Sequence, residues 1–196
     1  LGYAGAPMPP EQIRAAHARL TPALVQYYGL VEAIPPVTVL DPDDHARGIG
    51  ADRMPARPEL LGSAGRPCLG VELQIVDESG TPVPAGEIGE VVTRGDHVMP
   101  GYWGHTDDPA AGKTIRDGWL HTGDLGRLDS DGHLYLVDRK GDMIISGGYN
   151  IYPREVEDVI AEIPGVHEVA VVGLTDPEWG QRVAAANRKP HIDKVF

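Results

Sequence analysis

Short apolar runs separated by turn residues fill the segment from Val71 to Val137, and this spacing constrains the fold more than any other feature. Four runs have the composition of strands: Val71 to Val76, Glu90 to Thr93, Trp119 to His121 and Leu134 to Val137. Asp117-Gly118 and Asp131-Gly132 favour tight hairpins, because both residues of such a dipeptide tolerate positive φ. The segment therefore predicts a small antiparallel sheet or barrel.

Helical and strand-like patterns flank this segment. A short helix is predicted after Pro9, with one face formed by Ile13, Ala16, His17 and Leu20. The clearest helix opens at Pro153, and its apolar stripe consists of Val156, Val159, Ile160 and Ile163. Strands are predicted over Ala23 to Tyr28 and Val166 to Val172. Repeated prolines predict a long loop over residues 35–67.

The fold class that follows is α/β with a small antiparallel β-barrel subdomain, followed by a truncated α+β C-terminal module. The second module is expected to be incomplete, because strand and helix periodicity fail after Ala186. The chain is also expected to begin inside a domain, because Leu1 to Ala6 has the character of the end of an apolar strand.

The charge balance limits the partners. With 17 Lys and Arg against 29 Asp and Glu, the formal net charge of −12 repels nucleic-acid phosphates, so no nucleic-acid partner is expected. A small phosphorylated ligand stays compatible, because backbone amides and one or two cations act at hydrogen-bond distance. Cys68 is the single cysteine, and no apolar run has the length of a transmembrane segment. A cytoplasmic protein is therefore expected.

Two short motifs carry groups suited to a nucleotide. In the first, Tyr28 offers a ring for stacking on a base, Gly29 permits a turn, and Glu32 offers a carboxylate for a cation. An ordinary strand end with a solvated glutamate is the simpler interpretation of that motif alone. In the second, Asp124 can accept two hydrogen bonds from a ribose diol. For that motif alone, a carboxylate that caps its own turn is the simpler interpretation.

A third motif joins charged residues to a glycine pair. Arg139 presents a rigid donor fork that suits phosphate or ribose oxygens, while Gly147 and Gly148 let a ligand approach the backbone closely. A surface charge cluster beside a glycine turn explains the same residues equally well. None of the three motifs is specific by itself.

The order of the motifs along the chain is far more specific than any one of them. That order is YGLVEA, GRP, GEIGEVVTRG, MPGYW, DGWLHTGDLGRLDSDG, DRKGDMIISGGYNIYPREVED and VHEVAVVGLTDPEWGQRVAA. It resembles the later part of the adenylate-forming superfamily, and within it the fatty-acid and short-chain acyl-CoA ligases most closely. The resemblance covers about residues 1 to 186.

Such ligases use ATP and Mg²⁺ to convert a carboxylic acid to an acyl-adenylate and then transfer the acyl group to CoA. The resemblance implies roles for residues of the first two motifs and of the N-terminal strand. The nucleotide-binding residues it implies are Gly5, Ala6, Pro7, Tyr28, Gly29, Asp124 and Arg139. It also implies that Glu32 holds Mg²⁺ on the phosphate side, which makes Glu32 the one catalytic residue implied within this chain.

The resemblance divides the chain at a hinge, Asp138, about which a small lid domain rotates. Residues 1–137 correspond to the C-terminal part of the large domain, with the barrel subdomain over about residues 62–137, and residues 138–196 to the lid. Gly147 and Gly148 are implied to line the channel for the pantetheine arm of CoA.

Two features that ligases of this family need, the phosphate loop and the catalytic lysine, are not recognised in this sequence. The phosphate loop is expected upstream of Leu1, and the tail that carries Lys189 and Lys194 departs from the context of the catalytic lysine. The chain alone is therefore expected to be inactive, with the remainder of the ligase as a candidate partner. Two alternatives stay open: a non-catalytic remnant or binding module, and an adenylation domain that loads a carrier protein instead of CoA.

Overall fold

The computed structural model describes residues 1–51, 55–104, 114–166 and 168–188, except for the side chains of Pro35 and Arg188. The chain divides into two compact units, Leu1–Leu136 and Val137–Phe196, and the division falls next to the predicted hinge Asp138. Among the described residues, no helix has the length and hydrophobicity that crossing a membrane would require.

The first unit begins with a four-stranded mixed sheet. Its strands, in spatial order, are β1 (Gly2–Ala4), β2 (Val25–Leu30), β3 (Ala33–Leu40) and β4 (Arg66–Pro67). β1 and β2 are parallel, and the helix α1 (Pro10–Arg19) provides the long connection that parallel pairing requires. β3 and β4 are joined through α2 (Pro42–Ile49) and a 3₁₀ helix (Pro58–Gly62).

The predicted loop over residues 35–67 is wrong, because its prolines occupy positions that regular elements tolerate. Pro35 and Pro36 lie in β3 where its register with β2 shifts, and such an irregularity accepts a residue without an N–H. Pro42 stands in the first turn of α2, where the N–H would have no intrahelical partner. The Asp41 side chain caps that helix by accepting from the Asp44 N–H, and Gly50 ends it with a φ of 77°.

A five-stranded sheet completes the first unit as a half-barrel. Its strands are β5 (Glu72–Val76), β6 (Gly89–Arg94), β7 (Ile115–Arg116), β8 (Trp119–Leu128) and β9 (Leu134–Arg139). The order is β5-β6-β8-β7, with β9 also on β8, and the β5-β6, β6-β8 and β7-β8 pairs are antiparallel. The predicted antiparallel sheet is confirmed, but no pairing within residues 1–51, 55–104 and 114–136 closes it into a barrel.

The two predicted hairpin turns differ in construction. Asp117 and Gly118 both have positive φ, 50° and 79°, as a tight two-residue turn between β7 and β8 requires. At the second turn, Gly132 has a φ of 81°, and the Asp129 carboxylate accepts from the N–H groups of Asp131 and His133. The Asp129 carboxylate therefore satisfies two backbone N–H groups in the β8–β9 connection.

One hydrophobic core joins the two sheets of the first unit. Its fully buried members are Ala33 and Val37 from the first sheet, and Val91, Leu120 and Leu134 from the second. A smaller cluster places α1 on the unit through Ile13, Leu24 and Leu61. Leu20, which the sequence assigns to the same helix face, lies beyond the end of α1 and is 71% exposed.

The second unit is an antiparallel sheet with one helix. Its elements are β10 (Ile144–Ser146), β11 (Tyr149–Ile151), α3 (Pro153–Ala161), β12 (Glu168–Asp176) and β13 (Gly180–Arg188), with sheet order β11-β10-β13-β12. The helix predicted after Pro153 is confirmed. Half of its stripe is solvent-exposed, because Val159 and Ile163 are 67% and 54% exposed.

The end of the second unit differs from the sequence expectation. β13 continues past Ala186, with Asn187 and Arg188 paired to Val169 and Glu168. The predicted loss of pattern after Ala186 is therefore wrong for these two residues, whose backbone groups need no apolar alternation to pair. The tail with Lys189 and Lys194 lies outside the described residues.

Replacing Gly65 by alanine should destabilise the first unit strongly. A Cβ at Gly65 would stand 2.0 Å from the backbone carbon and oxygen of Val39, and the residue has a φ of 88°. We expect a loss of at least about 3 kcal/mol in the free energy of unfolding, measured by urea titration. Gly70→Ala is the matched control, because its φ of 81° is similar but nothing lies within 4 Å, so it should lose only about 1 kcal/mol. Equal losses would contradict the packing argument.

Candidate functional site

The first unit brings together a tyrosine and an aspartate from two different sheets. The Tyr28 hydroxyl donates a hydrogen bond of 2.6 Å to Oδ2 of Asp124, across a separation of 96 positions in the chain. Tyr28 comes from β2, and Asp124 from β8. The Tyr28 ring is 9% exposed and packs in the shared core, whereas Asp124 is half-buried. The Asp124 carboxylate is thus held next to the Tyr28 ring, which packs in the core.

A bulge in β8 produces the position of Asp124. Glu90 pairs with Leu125 and Val92 with His121, so β8 carries extra residues between them. Within that bulge the Thr122 hydroxyl donates to the Val91 carbonyl and accepts from the Asp124 N–H, at 2.8 and 3.0 Å. The sequence predicts a turn at Thr122 to Asp124 after a short strand, whereas β8 continues to Leu128. A glycine inside a strand pattern signals such a bulge.

The parallel pairing of β1 and β2 places the Gly5-Ala6-Pro7 segment beside Tyr28. Ala4, the last residue of β1, pairs with Tyr27, so the chain leaves β1 at Gly5 next to Tyr28, where β2 continues. Gly5 has a φ of 86°, and nothing lies within 4 Å of the position that a Cβ would take there. The carboxyl ends of parallel strands in an open sheet are the usual place for a ligand.

Glu32 lies in the turn between β2 and β3 and has a partner that is distant in the sequence. The Tyr102 hydroxyl donates a 2.6 Å hydrogen bond to Oε1 of Glu32. This bond and burial raise the pKa of Tyr102, and a bond with Thr114 lowers it to a lesser extent. The half-buried Glu32 carboxylate can hold a cation. Tyr102 belongs to the MPGYW motif, which the resemblance contains without a role for the ring.

In the second unit, the Asp138 carboxylate binds two backbone N–H groups. Oδ1 accepts from Arg139 at 2.7 Å, and Oδ2 accepts from Arg154 at 3.2 Å. Arg154 lies in the first turn of α3, so a negative charge stands at the favourable end of the helix dipole. The Arg139 side chain is exposed. Asp138 therefore ties the start of the second unit to its helix.

The two glycines implied to line a CoA channel have different surroundings. A Cβ at Gly147 would stand 2.5 Å from the Trp179 ring, and the Gly147 N–H donates to the Trp179 carbonyl at 2.9 Å. The space left by this glycine is therefore occupied by tryptophan. Nothing lies within 4 Å of the corresponding position at Gly148, which has a φ of 84°.

Two further polar clusters have structural partners. His121 Nδ1 lies 3.3 Å from Oε2 of the buried Glu90, a carboxylate on the neighbouring strand β6. Asp129, Asp131 and His133 are the described residues spaced closely enough to ligate a metal ion. The Arg57 guanidinium forms ion pairs with both of those carboxylates, and it supplies the positive charge that a metal would bring.

Comparison with known proteins identifies the family. The sequence profile of AMP-binding enzymes matches residues 1–103, and the profile of the AMP-binding enzyme C-terminal domain matches residues 155–188. The chain therefore belongs to the AMP-binding enzyme family, whose members include the acyl-CoA ligases that it resembles.

Individual relatives agree with this assignment. A medium/long-chain-fatty-acid–CoA ligase of Mycobacterium tuberculosis, FadD8, is 44% identical over 183 residues, which are 93% of this chain and 30% of that protein. A feruloyl-CoA synthase of Amycolatopsis sp. is 44% identical over 177 residues, 90% of this chain and 33% of that protein. The solved amide bond synthetase McbA from Marinactinospora thermotolerans matches with a TM-score of 0.82 and 44% identity, covering 95% of this chain and 35% of that one. The chain spans about a third of the length of these proteins.

The bond between Tyr28 and Asp124 should contribute measurably to the stability of the first unit. Tyr28→Phe removes the hydroxyl but keeps the packed ring, and we expect the free energy of unfolding to fall by about 1 to 2 kcal/mol. Tyr27→Phe is the matched control, because successive strand residues point to opposite faces, and it should stay within about 0.5 kcal/mol. In an Asp124→Ala background the Tyr28→Phe effect should shrink. An unchanged effect there would mean that the hydroxyl acts elsewhere.

Proposed function

We propose that this chain is the nucleotide-binding part of an ATP-dependent acid–CoA ligase that forms an acyl-adenylate and then an acyl-CoA thioester. The observation that carries the proposal is the 2.6 Å bond between Tyr28 and Asp124. It joins, at one location, the two motifs to which the resemblance assigns the base and the ribose. The similarity to FadD8 favours fatty acids as the carboxylic acid, within fatty acid metabolism in the cytoplasm.

In this proposal Asp124 binds the ribose hydroxyls, and Tyr28 orients it. A carboxylate accepts bonds from both hydroxyls of a diol, and the tyrosine hydroxyl fixes the direction of its other lone pairs. The burial of the Tyr28 ring leaves only part of its surface for stacking on adenine. Gly5, Ala6 and Pro7 then form the opposite wall of the adenine pocket. Gly29 follows Tyr28 within β2, at the shift in its register with β3.

Glu32 fits the requirement for the magnesium ion that accompanies ATP. Mg²⁺ at phosphate sites is usually held by one or two carboxylates together with phosphate oxygens and water. Glu32 supplies one half-buried carboxylate, and its bond from Tyr102 engages Oε1 only, so lone pairs of Oε2 can serve the cation. Bound Mg²⁺ would neutralise phosphate charge as pyrophosphate leaves.

The second unit is proposed as the lid that rotates between the two half-reactions. Asp138 is its hinge, Arg139 assists at the ribose, and the backbone at Gly148 borders the pantetheine arm of CoA. The Trp179 ring at Gly147 supports a shift of that channel toward Gly148, where space is open.

The remainder of the ligase is the proposed partner of the first unit. Leu20, Val31 and Ile34 are 71%, 90% and 71% exposed, so their apolar side chains are accessible to a covering segment. A segment that supplies the phosphate loop would cover some of them. Mixing the chain with that segment should give a complex in analytical ultracentrifugation, and two separate species would count against this partner.

Nucleotide binding gives the direct test of the proposal. We expect saturable binding of ATP and AMP by the folded 196-residue chain in calorimetry, and Asp124→Ala should weaken the AMP affinity about tenfold or more, because charge-assisted bonds to the ribose are lost. Asp96→Ala is the control, an exposed carboxylate of the same unit that should change the affinity less than twofold, within about 0.4 kcal/mol. A folded chain that binds neither nucleotide refutes the proposal.

The same chain should not catalyse adenylation alone. The phosphate loop and the catalytic lysine implied by the resemblance are not recognised in it, and each such charge-stabilising group is typically worth about 3 to 4 kcal/mol in the transition state. We expect no carboxylate-dependent exchange of labelled pyrophosphate into ATP. Exchange by the purified chain would show that these groups are dispensable or replaced.

If the chain binds nucleotide but does not catalyse pyrophosphate exchange, it is either part of a split ligase or a non-catalytic remnant. Adding the preceding segment distinguishes these two alternatives. Adding the preceding segment should restore exchange if the chain is part of an enzyme, and should leave it absent if the chain is a remnant. An adenylation domain for a carrier protein would regain exchange too, but it would transfer the acyl group to a phosphopantetheinyl carrier and not to CoA.

A further inference from the structure

We propose that Tyr102 is a positioning residue for the Glu32 carboxylate, and that its hydroxyl turns this carboxylate toward the metal-bound phosphates of ATP. The inference rests on the proposed function of Glu32 and adds a residue to which nothing in the resemblance assigns a task. It starts from the 2.6 Å bond from the Tyr102 hydroxyl to Oε1 of Glu32, which spans 70 positions in the chain.

The backbone on both sides of this bond is fixed. The Met99 N–H donates to the Glu32 carbonyl at 2.8 Å, and Ala33 forms an isolated bridge with Val98. The segment that carries Tyr102 is therefore attached to the turn that carries Glu32 at two backbone positions, before the side chains meet. A hydroxyl held in this way limits the rotamers of the glutamate, whose side chain otherwise has three rotatable bonds.

The chemistry of the bond suits an orienting role. A tyrosine hydroxyl uses its single proton on Oε1, so the lone pairs of Oε2 stay available to a cation. A neutral donor also leaves the carboxylate its negative charge, whereas a lysine in this place would compete with Mg²⁺ electrostatically.

Packing alone does not account for this contact. The Tyr102 side chain is 40% exposed, so its ring buries much less apolar surface than the core ring of Tyr28, which is 9% exposed. Restricting the half-buried Glu32 side chain costs side-chain entropy, which a bond to a partly solvated carboxylate offsets only in part. The arrangement is understandable if the fixed carboxylate serves a ligand.

The dependence of ATP affinity on Mg²⁺ distinguishes a positioning role of Tyr102 from a role in folding. Affinities for ATP with and without Mg²⁺, and for AMP, are to be measured by calorimetry for the wild-type chain, Tyr102→Phe, Glu32→Gln and the double variant. Tyr27→Phe serves as control, because Tyr27 is 37% exposed in the same unit and lies outside the proposed site. Far-UV circular dichroism and urea unfolding verify the fold of each variant.

We expect Tyr102→Phe to weaken MgATP binding by about threefold to tenfold, the loss of one hydrogen bond to a charged group, without changing AMP binding. In the Glu32→Gln background the same substitution should have no further effect, because the hydroxyl acts through that carboxylate. Tyr27→Phe should leave every affinity unchanged.

Four results would overturn the inference. Unchanged MgATP affinity in Tyr102→Phe removes the role, and an equal loss for AMP and MgATP reduces it to a structural one. A full Tyr102→Phe effect in the Glu32→Gln background shows that the hydroxyl acts through another group. Wild-type binding of AMP with no effect of Mg²⁺ on ATP affinity refutes the metal role of Glu32 and this inference, yet leaves the nucleotide pocket intact. Failure to bind either nucleotide instead refutes the proposed function itself.

Discussion

The hydrophobic core shared by the two sheets of the first unit is the constraint on which the candidate site depends. Val37 and Leu134, from different sheets, belong to the same buried cluster, and Gly65 forms a bridge with Leu134 while its missing side chain admits the backbone of Val39. This contact fixes the distance between the sheets. Tyr28 reaches Asp124 because its ring belongs to that core and its hydroxyl emerges at the edge.

Irregularities in otherwise regular strands create the polar positions. The extra residues of β8 turn Asp124 out of the ladder, and the register shift in β3 follows the turn that carries Glu32. A regular ladder would point alternate side chains to opposite faces and leave no residue in these orientations. Some backbone hydrogen bonds between strands are therefore missing next to the proposed site. The Thr122 hydroxyl replaces part of them by bonding to the Val91 carbonyl and the Asp124 N–H.

The sequence predicts those elements whose local pattern is consistent with their environment. α3 and the Asp117-Gly118 hairpin belong to this class, because a proline start and a positive-φ dipeptide act within a few residues. Residues 35–67 fail for the opposite reason: proline reads as a breaker, yet at Pro42 it begins a helix, and at Pro36 it lies where the strand pairing is irregular. Local rules do not reveal which backbone N–H groups will need a partner.

The residues of the candidate site also include some that the sequence predicts and some that it does not. Tyr28, Glu32 and Asp124 are recognisable from motif order, since each carries a group with an obvious nucleotide partner. Tyr102 is not, because its relation to Glu32 is a contact across 70 positions that only the tertiary structure reveals. For Gly147, the pattern shows a missing side chain but not that the Trp179 ring takes its place.

The two hydrogen bonds of the Asp138 carboxylate restrict the backbone torsions of this residue. Its carboxylate is bonded both to the N–H of the following residue and to the first turn of α3, so rotation about the Cα–C bond of Asp138 would break both of these bonds. Rotation about its N–Cα bond, or within Val137, disturbs neither. Such a rotation would leave the aspartate attached to the first turn of α3.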